Sequence, residues 1–158
     1  MNITLRTILK DSDPVAIREI ASDTAFFSEA EIATAGELAV ETLAKPDEYL
    51  FIFAELDGRV VGYVCYGEIP LTSGSYDLYW IVVKLSLQGA GIGQMLLAAV
   101  EQEVRARNGR QIFISTSSRE QYAHTRAFYE HAGYSLNAQL TDFYTIGEDE
   151  CIYRKNVL

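Results

Sequence analysis

Basic residues are scarce in this sequence. Lys and Arg number 13 against 22 Asp and Glu, so the formal net charge is −9 and the pI about 4.7. Affinity for nucleic acid or for an anionic membrane rewards basic surfaces, and the shortage argues against both as partners. A cationic substrate is easier to attract, although acidity also serves solubility. Cysteine is scarcer still. Cys65 and Cys151 lie far apart with no Cys-x-x-Cys and no Cys/His metal spacing, which leaves a zinc site unsupported and two buried thiols as the expectation. His124 and His131 stand seven residues apart on one predicted helix, but nothing nearby completes a ligand set, so no metal is expected. No run approaches the roughly 20 apolar residues of a membrane span, and the opening MNITLRTILKDSDP lacks the apolar core of a secretory signal. The expectation is a cytoplasmic protein.

What the chain has is apolar content. About half of its 158 residues are hydrophobic, enough for one domain over residues 1–158 with a real core. No repeat, linker or low-complexity stretch divides it. Ile3, Leu5 and Thr7 alternate with polar neighbours and predict a strand ending near Leu9. Asp11, Ser12 and Asp13 before Pro14 mark a helix start, with Val15, Ile17, Ile20 and Ala21 as its apolar face. A break at Phe26 to Ser28 precedes a second helix, in which Ile32, Ala35, Leu38, Ala39, Thr42 and Leu43 keep helical spacing up to Lys45-Pro46; Phe26 and Phe27 read as packing anchors or, in such a junction, as the roof of a pocket. Tyr49 to Leu56 and Arg59 to Gly67 predict two strands, and Asp57-Gly58 between them signals a two-residue hairpin turn. Glu68 to Gly74 reads as a loop and Tyr76 to Val83 as a strand.

A helix to about Arg107 follows, closed by Asn108-Gly109. Ile112 to Ile114 predicts a short buried strand, parallel to its predecessor through a crossover and ended by Ser115, Thr116, Ser117 and Ser118. A helix from about Glu120 to His131 stops at Gly133. Strands near Tyr134 to Phe143 and Glu150 to Val157 close the chain, with Gly147 in an acidic turn between them. These apolar, tyrosine-rich strands leave room for a homodimer. The sum is an α/β chain with about seven strands and about four helices.

The stretch from Asp77 to Glu103 carries the chemistry. A β-branched run, Ile81, Val82 and Val83, leads into Gln88, Gly89, Ala90, Gly91, Ile92, Gly93 and Gln94. Apolar residues then recur at Ile92, Met95, Leu96, Ala99, Val100 and Val104, the spacing of one helical face. A helix that begins at glycines offers unpaired amides and a positive dipole end, with backbone free to approach an anion. The dinucleotide motif GxGxxG fails here, since its third glycine would fall on Gln94. The nucleoside-triphosphate loop fails too, because the turn holds no Gly-Lys pair. The pattern Q/R-x-x-G-x-G/A is met by Gln88, Gly91 and Gly93.

With that motif the sequence resembles the GCN5-related N-acetyltransferases (GNAT), which bind acetyl-CoA through it. The resemblance covers nearly the whole chain: the element order, the apolar strand before the turn, and the segment Thr125 to Tyr134, which is similar to the family's second signature. It implies a mixed, mostly antiparallel central sheet in which strands 4 and 5 run parallel and splay apart, with pantetheine paired to strand 4. Carried over residue by residue, Val82 and Val83 are main-chain partners of pantetheine and thioester, and Gln88 through Gln94 hold the pyrophosphate. Many members carry Lys or Arg within the loop where this chain has Gly89 and Ala90; Lys84 is the nearest cation. Tyr129 matches the family tyrosine beside the CoA sulfur, a proton donor to the departing thiolate.

Asp77, fourteen residues before Gly91, occupies the strand position where some members carry a glutamate base, with a water relay expected for the shorter side chain. Period two sets Tyr79 and Ile81 on its face; Glu68, Glu29 and Glu31 are alternative bases. Tyr122 stands where many members have an Asn bonded to pantetheine, and Ser117 and Arg126 are further candidate cofactor contacts or surface residues. The implied activity is transfer of acetyl from acetyl-CoA to a primary amine, on a small molecule or a peptide, by direct attack in a ternary complex. The rival is a non-catalytic acyl-CoA-binding or regulatory module of the same fold.

Overall fold

The computed structural model describes residues 1–47 and 49–158. In chain order the elements are β1 (Ile3–Arg6), α1 (Asp13–Asp23), α2 (Glu29–Ala44), β2 (Leu50–Leu56), β3 (Arg59–Glu68), β4 (Ser75–Val83), α3 (Ile92–Ala106), β5 (Gln111–Ser117), α4 (Ala123–His131), β6 (Ser135–Thr145) and β7 (Glu148–Asn156). Short 3-10 turns at Leu85–Leu87 and Glu120–Tyr122 precede α3 and α4. The strands form one seven-stranded sheet in the order β1-β2-β3-β4-β5-β7-β6. Among the ladders with a described register, β4–β5 is parallel and the others are antiparallel. This is the fold that the family resemblance implied. No helix among the described residues is long and apolar enough to cross a membrane.

By its contacts the chain divides into two compact units, Met1–Gly67 with Trp80–Val100, and Glu68–Tyr79 with Glu101–Leu158. In the first, α1 and α2 bury Ile17, Ile20, Ala35 and Ala39 against Phe51, Phe53, Tyr63, Cys65 and Val82 of the strands. Phe27 packs edge-on to Trp80 at 5.4 Å and to Phe26 at 5.4 Å, the anchoring role read from the sequence. Asp57 and Gly58 both take positive φ, 51° and 76°, as a two-residue hairpin of the primed type requires. The first strand is shorter than expected, ending at Arg6 rather than near Leu9. Its guanidinium bends the chain by donating to the Ile8 carbonyl at 2.6 Å and to both oxygens of Asp13 at 2.8 and 2.9 Å. That buried carboxylate also accepts the Lys10 amide at 2.7 Å. So α1 starts on Asp13 and not on a capping bond from Ser12, which makes none. The second helix opens with a reciprocal box between Ser28 and Glu31.

In the second unit β5 extends through Ser117, beyond the expected end at Ile114, because Ser115, Thr116 and Ser117 find ladder partners in Ile152, Cys151 and Glu150. Small hydroxyl residues read as a loop alone, and a partner strand turns them into ladder. The acidic turn is tighter than expected, with β6 reaching Thr145 and β7 starting at Glu148. Asp149 organises it by accepting from the Asp142 amide and the Gln139 amide group, both at 2.8 Å. Helix α3 stops in a paired C-terminal motif: Gly109 N–H bonds Val104 O at 2.7 Å and Asn108 N–H bonds Arg105 O at 3.0 Å. Here Asn108 holds the left-handed φ of 62°. Gly109 is required for space instead, since a Cβ there would lie 2.3 Å from Val104 Cγ1 and 2.8 Å from Tyr76 Cε1.

The two turn glycines therefore separate two physical costs. Gly58→Ala meets only the strain of positive φ, with nothing within 4 Å of the added carbon, and is expected to lose about 1 kcal/mol. Gly109→Ala must displace Val104 and the Tyr76 ring and is expected to lose about 2–3 kcal/mol. Urea midpoints of the two variants measure the difference, and equal losses would contradict it.

Candidate functional site

The glycine turn lies in the first unit at the C-terminal end of β4. Its lead-in is fixed by two bonds: Lys84 N–H to Val61 O at 2.8 Å, and the Gln88 side chain to Val83 O at 3.1 Å. Gly89 and Gly91 take φ of 84° and 87°, and a Cβ on either would meet nothing within 4 Å. Both glycines are therefore needed for backbone conformation, and the space beside them is open. The Gly91 carbonyl accepts the first helical bond of α3, from Met95 N–H at 3.0 Å. The amides of Ile92, Gly93 and Gln94 consequently lie in the first turn, where a helix offers no acceptor of its own. Ile92 is fully buried and pins that turn. Gly62 on β3 lets it approach, since a Cβ there would press on Val82 O, Leu96 and Ile92 at 3.2–3.4 Å. Val82 is buried and Val83 half-buried. Ala90 and the exposed Lys84 complete the turn.

Asp77, Tyr122 and Tyr129 belong to the second unit. The β4–β5 ladder runs from Ser75↔Gln111 to Leu78↔Ile114, while β4 itself continues to Val83. Asp77 is in register with Phe113, which pairs with Arg154 on β7. Period two then sets Ser115, Ser117, Glu150 and Ile152 on the Asp77 face, and Ile112, Ile114, Cys151, Tyr153 and Lys155 on the other. Helix α4 packs on that other face: the Tyr153 hydroxyl donates to Glu130 at 2.9 Å and Lys155 to Ala132 O at 2.8 Å. Asp77 and Tyr129 thus lie on opposite faces of this part of the sheet.

Asp77 is half-buried, and burial, with the Glu150 carboxylate as second cause, holds its carboxyl above the ordinary 3.8. A raised pKa makes a better base. Burial alone pushes the Tyr129 hydroxyl well above its ordinary 10, so it is protonated at neutral pH and a weaker acid than a solvated tyrosine. Its ring is held between Phe128 at 5.5 Å and Tyr134 and Tyr153 at 6.3 Å. Tyr122 sits at the N-terminal end of α4, and its hydroxyl is close enough to act on Tyr144. Tyr144 is also raised by burial first and by Glu150 and Glu148.

The other candidates have structural partners. Ser117 is buried and donates to Glu148 at 2.7 Å, and Arg126 donates to the carbonyls of Ser117 and Arg119 at 2.7 and 2.8 Å. Together they tie the β5 end to α4. Glu31 is held by the α2 cap, and Glu68 lies against the Tyr76 hydroxyl, where it helps to raise that group. Glu29 is exposed in the first turn of α2. Sequence reasoning missed Glu150, Glu148 and Tyr144. Alternation along β7 groups Glu148, Glu150, Ile152 and Arg154, but only the ladder register tells which face of the sheet they share.

The sequence model of the acetyltransferase (GNAT) family matches residues 11–134. A solved structure assigned to GNAT acetyltransferases, from Desulfovibrio desulfuricans, is 42% identical and superposes at a TM-score of 0.98 over 99% of this chain and 100% of that one. An uncharacterised N-acetyltransferase from Methanocaldococcus jannaschii is 33% identical over 106 residues, 66% of this chain and 65% of the relative's own length. The yncA protein of Salmonella typhimurium, solved with its cofactor acetyl-CoA, shares the fold at a TM-score of 0.77 and 18% identity, over 100% of this chain and 95% of that one.

A carboxyl whose pKa is higher in the folded than in the unfolded chain contributes stability that is full below the unfolded value and is lost as pH rises through the folded one. Asp77→Asn mimics the protonated form. Its stability relative to the parent is expected to increase from about pH 4 to about pH 7, read as urea midpoints at each pH. A constant difference would remove the shift.

Proposed function

The chain belongs to the GNAT family of acetyltransferases, and on that premise we propose that residues 1–158 act as one domain moving an acetyl group from acetyl-CoA to a primary amine by direct attack in a ternary complex. The observation that carries this reading is the open turn from Gln88 to Gln94, whose two positive-φ glycines leave space beside the first amides of α3. Those amides hold the pyrophosphate, with the helix dipole adding favourable charge. No basic side chain stands inside the turn, so affinity there depends on backbone and on Lys84. Pantetheine pairs with the main chain of Val82 and Val83. Support comes from the β4–β5 ladder, which ends at Leu78 before either valine is reached.

The chemistry requires a neutral amine, an electrophilic thioester carbonyl and a proton for sulfur. Asp77 takes the ammonium proton, through one water because its side chain is short. The amine nitrogen then attacks the acetyl carbon. As the C–N bond forms and the C–S bond breaks, the electron pair leaves on sulfur, the Tyr129 hydroxyl donates the proton that makes CoA-SH, and the second proton shed by the new amide nitrogen passes through water to restore the tyrosine. Proton acceptor and donor on opposite sheet faces suit this sequence, because amine and sulfur lie on opposite sides of the carbonyl carbon. A free thiol has a pKa near 8.5 and is already a fair leaving group, so the acid contributes modestly. Tyr122 contacts the pantetheine arm, a role its place at the start of α4 supports. The acceptor is an amine on a small molecule or a peptide, and the acidic balance of the chain favours one with further positive charge.

Acetyl-CoA and a panel of amines, with free thiol followed over time, test the reading: turnover on at least one amine is expected, and cofactor binding without turnover on any would defeat it in favour of a binding module. Tyr129→Phe is expected to lower kcat about tenfold to a hundredfold and leave the Kd for CoA unchanged. A loss confined to affinity would make Tyr129 a binding residue.

A further inference from the structure

Helix α4 has only nine residues, too short to hold its own position in water. Three residues at its C-terminal end, Tyr129, Glu130 and Ala132, are tied down from outside the helix. The Tyr129 carbonyl accepts the Tyr134 amide at 3.0 Å, across Gly133 at a φ of 94°. The Glu130 carboxylate accepts the Tyr153 hydroxyl, and the Ala132 carbonyl accepts Lys155 Nζ. The Tyr134 side chain then reaches α3, where its hydroxyl donates to Glu101 Oε2 at 3.1 Å. Lys155 Nζ completes the circuit by donating to Glu101 Oε1 at 2.9 Å, with the ammonium 5.6 Å from the centre of the Tyr134 ring. Glu101 and Tyr134 are 8% and 3% exposed.

We infer that Glu101, Tyr134 and Lys155 form a strut whose work is to position Tyr129: through the Tyr134 hydroxyl on Glu101 and the Lys155 bonds to Glu101 and the Ala132 carbonyl, it fixes the rotation of α4 about its axis. The inference rests on the reading of Tyr129 as proton donor. These three are positioning residues and touch no reacting atom. A purely apolar contact would hold α4 against the sheet but would let it turn or slide, whereas directional bonds to the Ala132 carbonyl and through Tyr134 allow one rotation. A donor displaced by about 1 Å is enough to lower a rate by orders of magnitude.

Stability and positioning separate experimentally because an ion pair partly withdrawn from water, as Lys155 and Glu101 are, costs more to break than to replace. Lys155→Met alone leaves the Glu101 carboxylate without its cation and is expected to lower the urea midpoint sharply. The triple variant Glu101→Met, Tyr134→Phe, Lys155→Met replaces every polar member by an apolar side chain of similar size and is expected to regain most of that midpoint. In the full chain with acetyl-CoA and an accepted amine, its kcat is expected to stay about tenfold below the parent, with the Kd for CoA and the KM for the amine unchanged. Adding Tyr129→Phe to the triple variant should cost little more, since the same step is already impaired. If kcat returns together with the midpoint, the strut is structural only and the inference fails while the role of Tyr129 stands. If Tyr129→Phe by itself leaves kcat intact, the donor reading fails and the strut has nothing to position.

Discussion

Two neighbouring strands that run parallel cannot be joined by a hairpin, and this constraint orders the molecule around β4 and β5. The chain has to leave the end of β4, cross over through a helix and return to start β5 at the same edge from which β4 began. The crossover helix is α3, so its N-terminus must lie at the C-terminal end of β4. That is where the turn needs two residues with positive φ, Gly89 and Gly91, and where the amides of the first helical turn collect. Parallel pairing and the cluster of free amides are in this sense one feature. The same crossover returns through Asn108 and Gly109, whose tight fit against Val104 and Tyr76 sets where β5 starts.

The acidic excess looks different once the partners of individual carboxylates are known. Asp13 is paired with Arg6, Glu31 closes the α2 cap, Glu101 is bound by Tyr134 and Lys155, Glu130 accepts from Tyr153, and Asp149 builds the β6–β7 turn. These five carboxylates hold elements together, and only the remaining acidic charge bears on a ligand. Asp77 and Glu150 are the opposite case. Burial and the Glu150 charge raise Asp77 rather than settle it, the condition in which a carboxylate gains by taking up a proton.

The tyrosines divide in a similar way. Tyr134 and Tyr153 donate hydrogen bonds to carboxylates and serve as fixed contacts, whereas the Tyr129 hydroxyl is raised by burial alone amid their rings. Apart from the family resemblance that marks Tyr129, all three are aromatic residues near the end of a helix or within a strand. Their neighbours separate the roles.

Local chemistry made most of the fold legible. The Asp57-Gly58 hairpin, the helical spacing from Ile92 to Val104, the Asn108-Gly109 stop and the glycine turn each depend on residues adjacent in the chain, so the sequence alone determined the order of elements, the motif and the family. Where the expectation missed, a distant partner was responsible. Strand β1 ends at Arg6 because Asp13 captures the guanidinium, and β5 outlasts Ile114 because β7 gives Ser115 to Ser117 a ladder. Only the tertiary structure decided that Asp77 shares a face with Glu150 while Tyr129 lies on the other, and that Glu101, Tyr134 and Lys155 meet. Sheet register and the burial of charge are properties of strands and helices brought together from far along the chain, and no local pattern encodes which residue will stand opposite which.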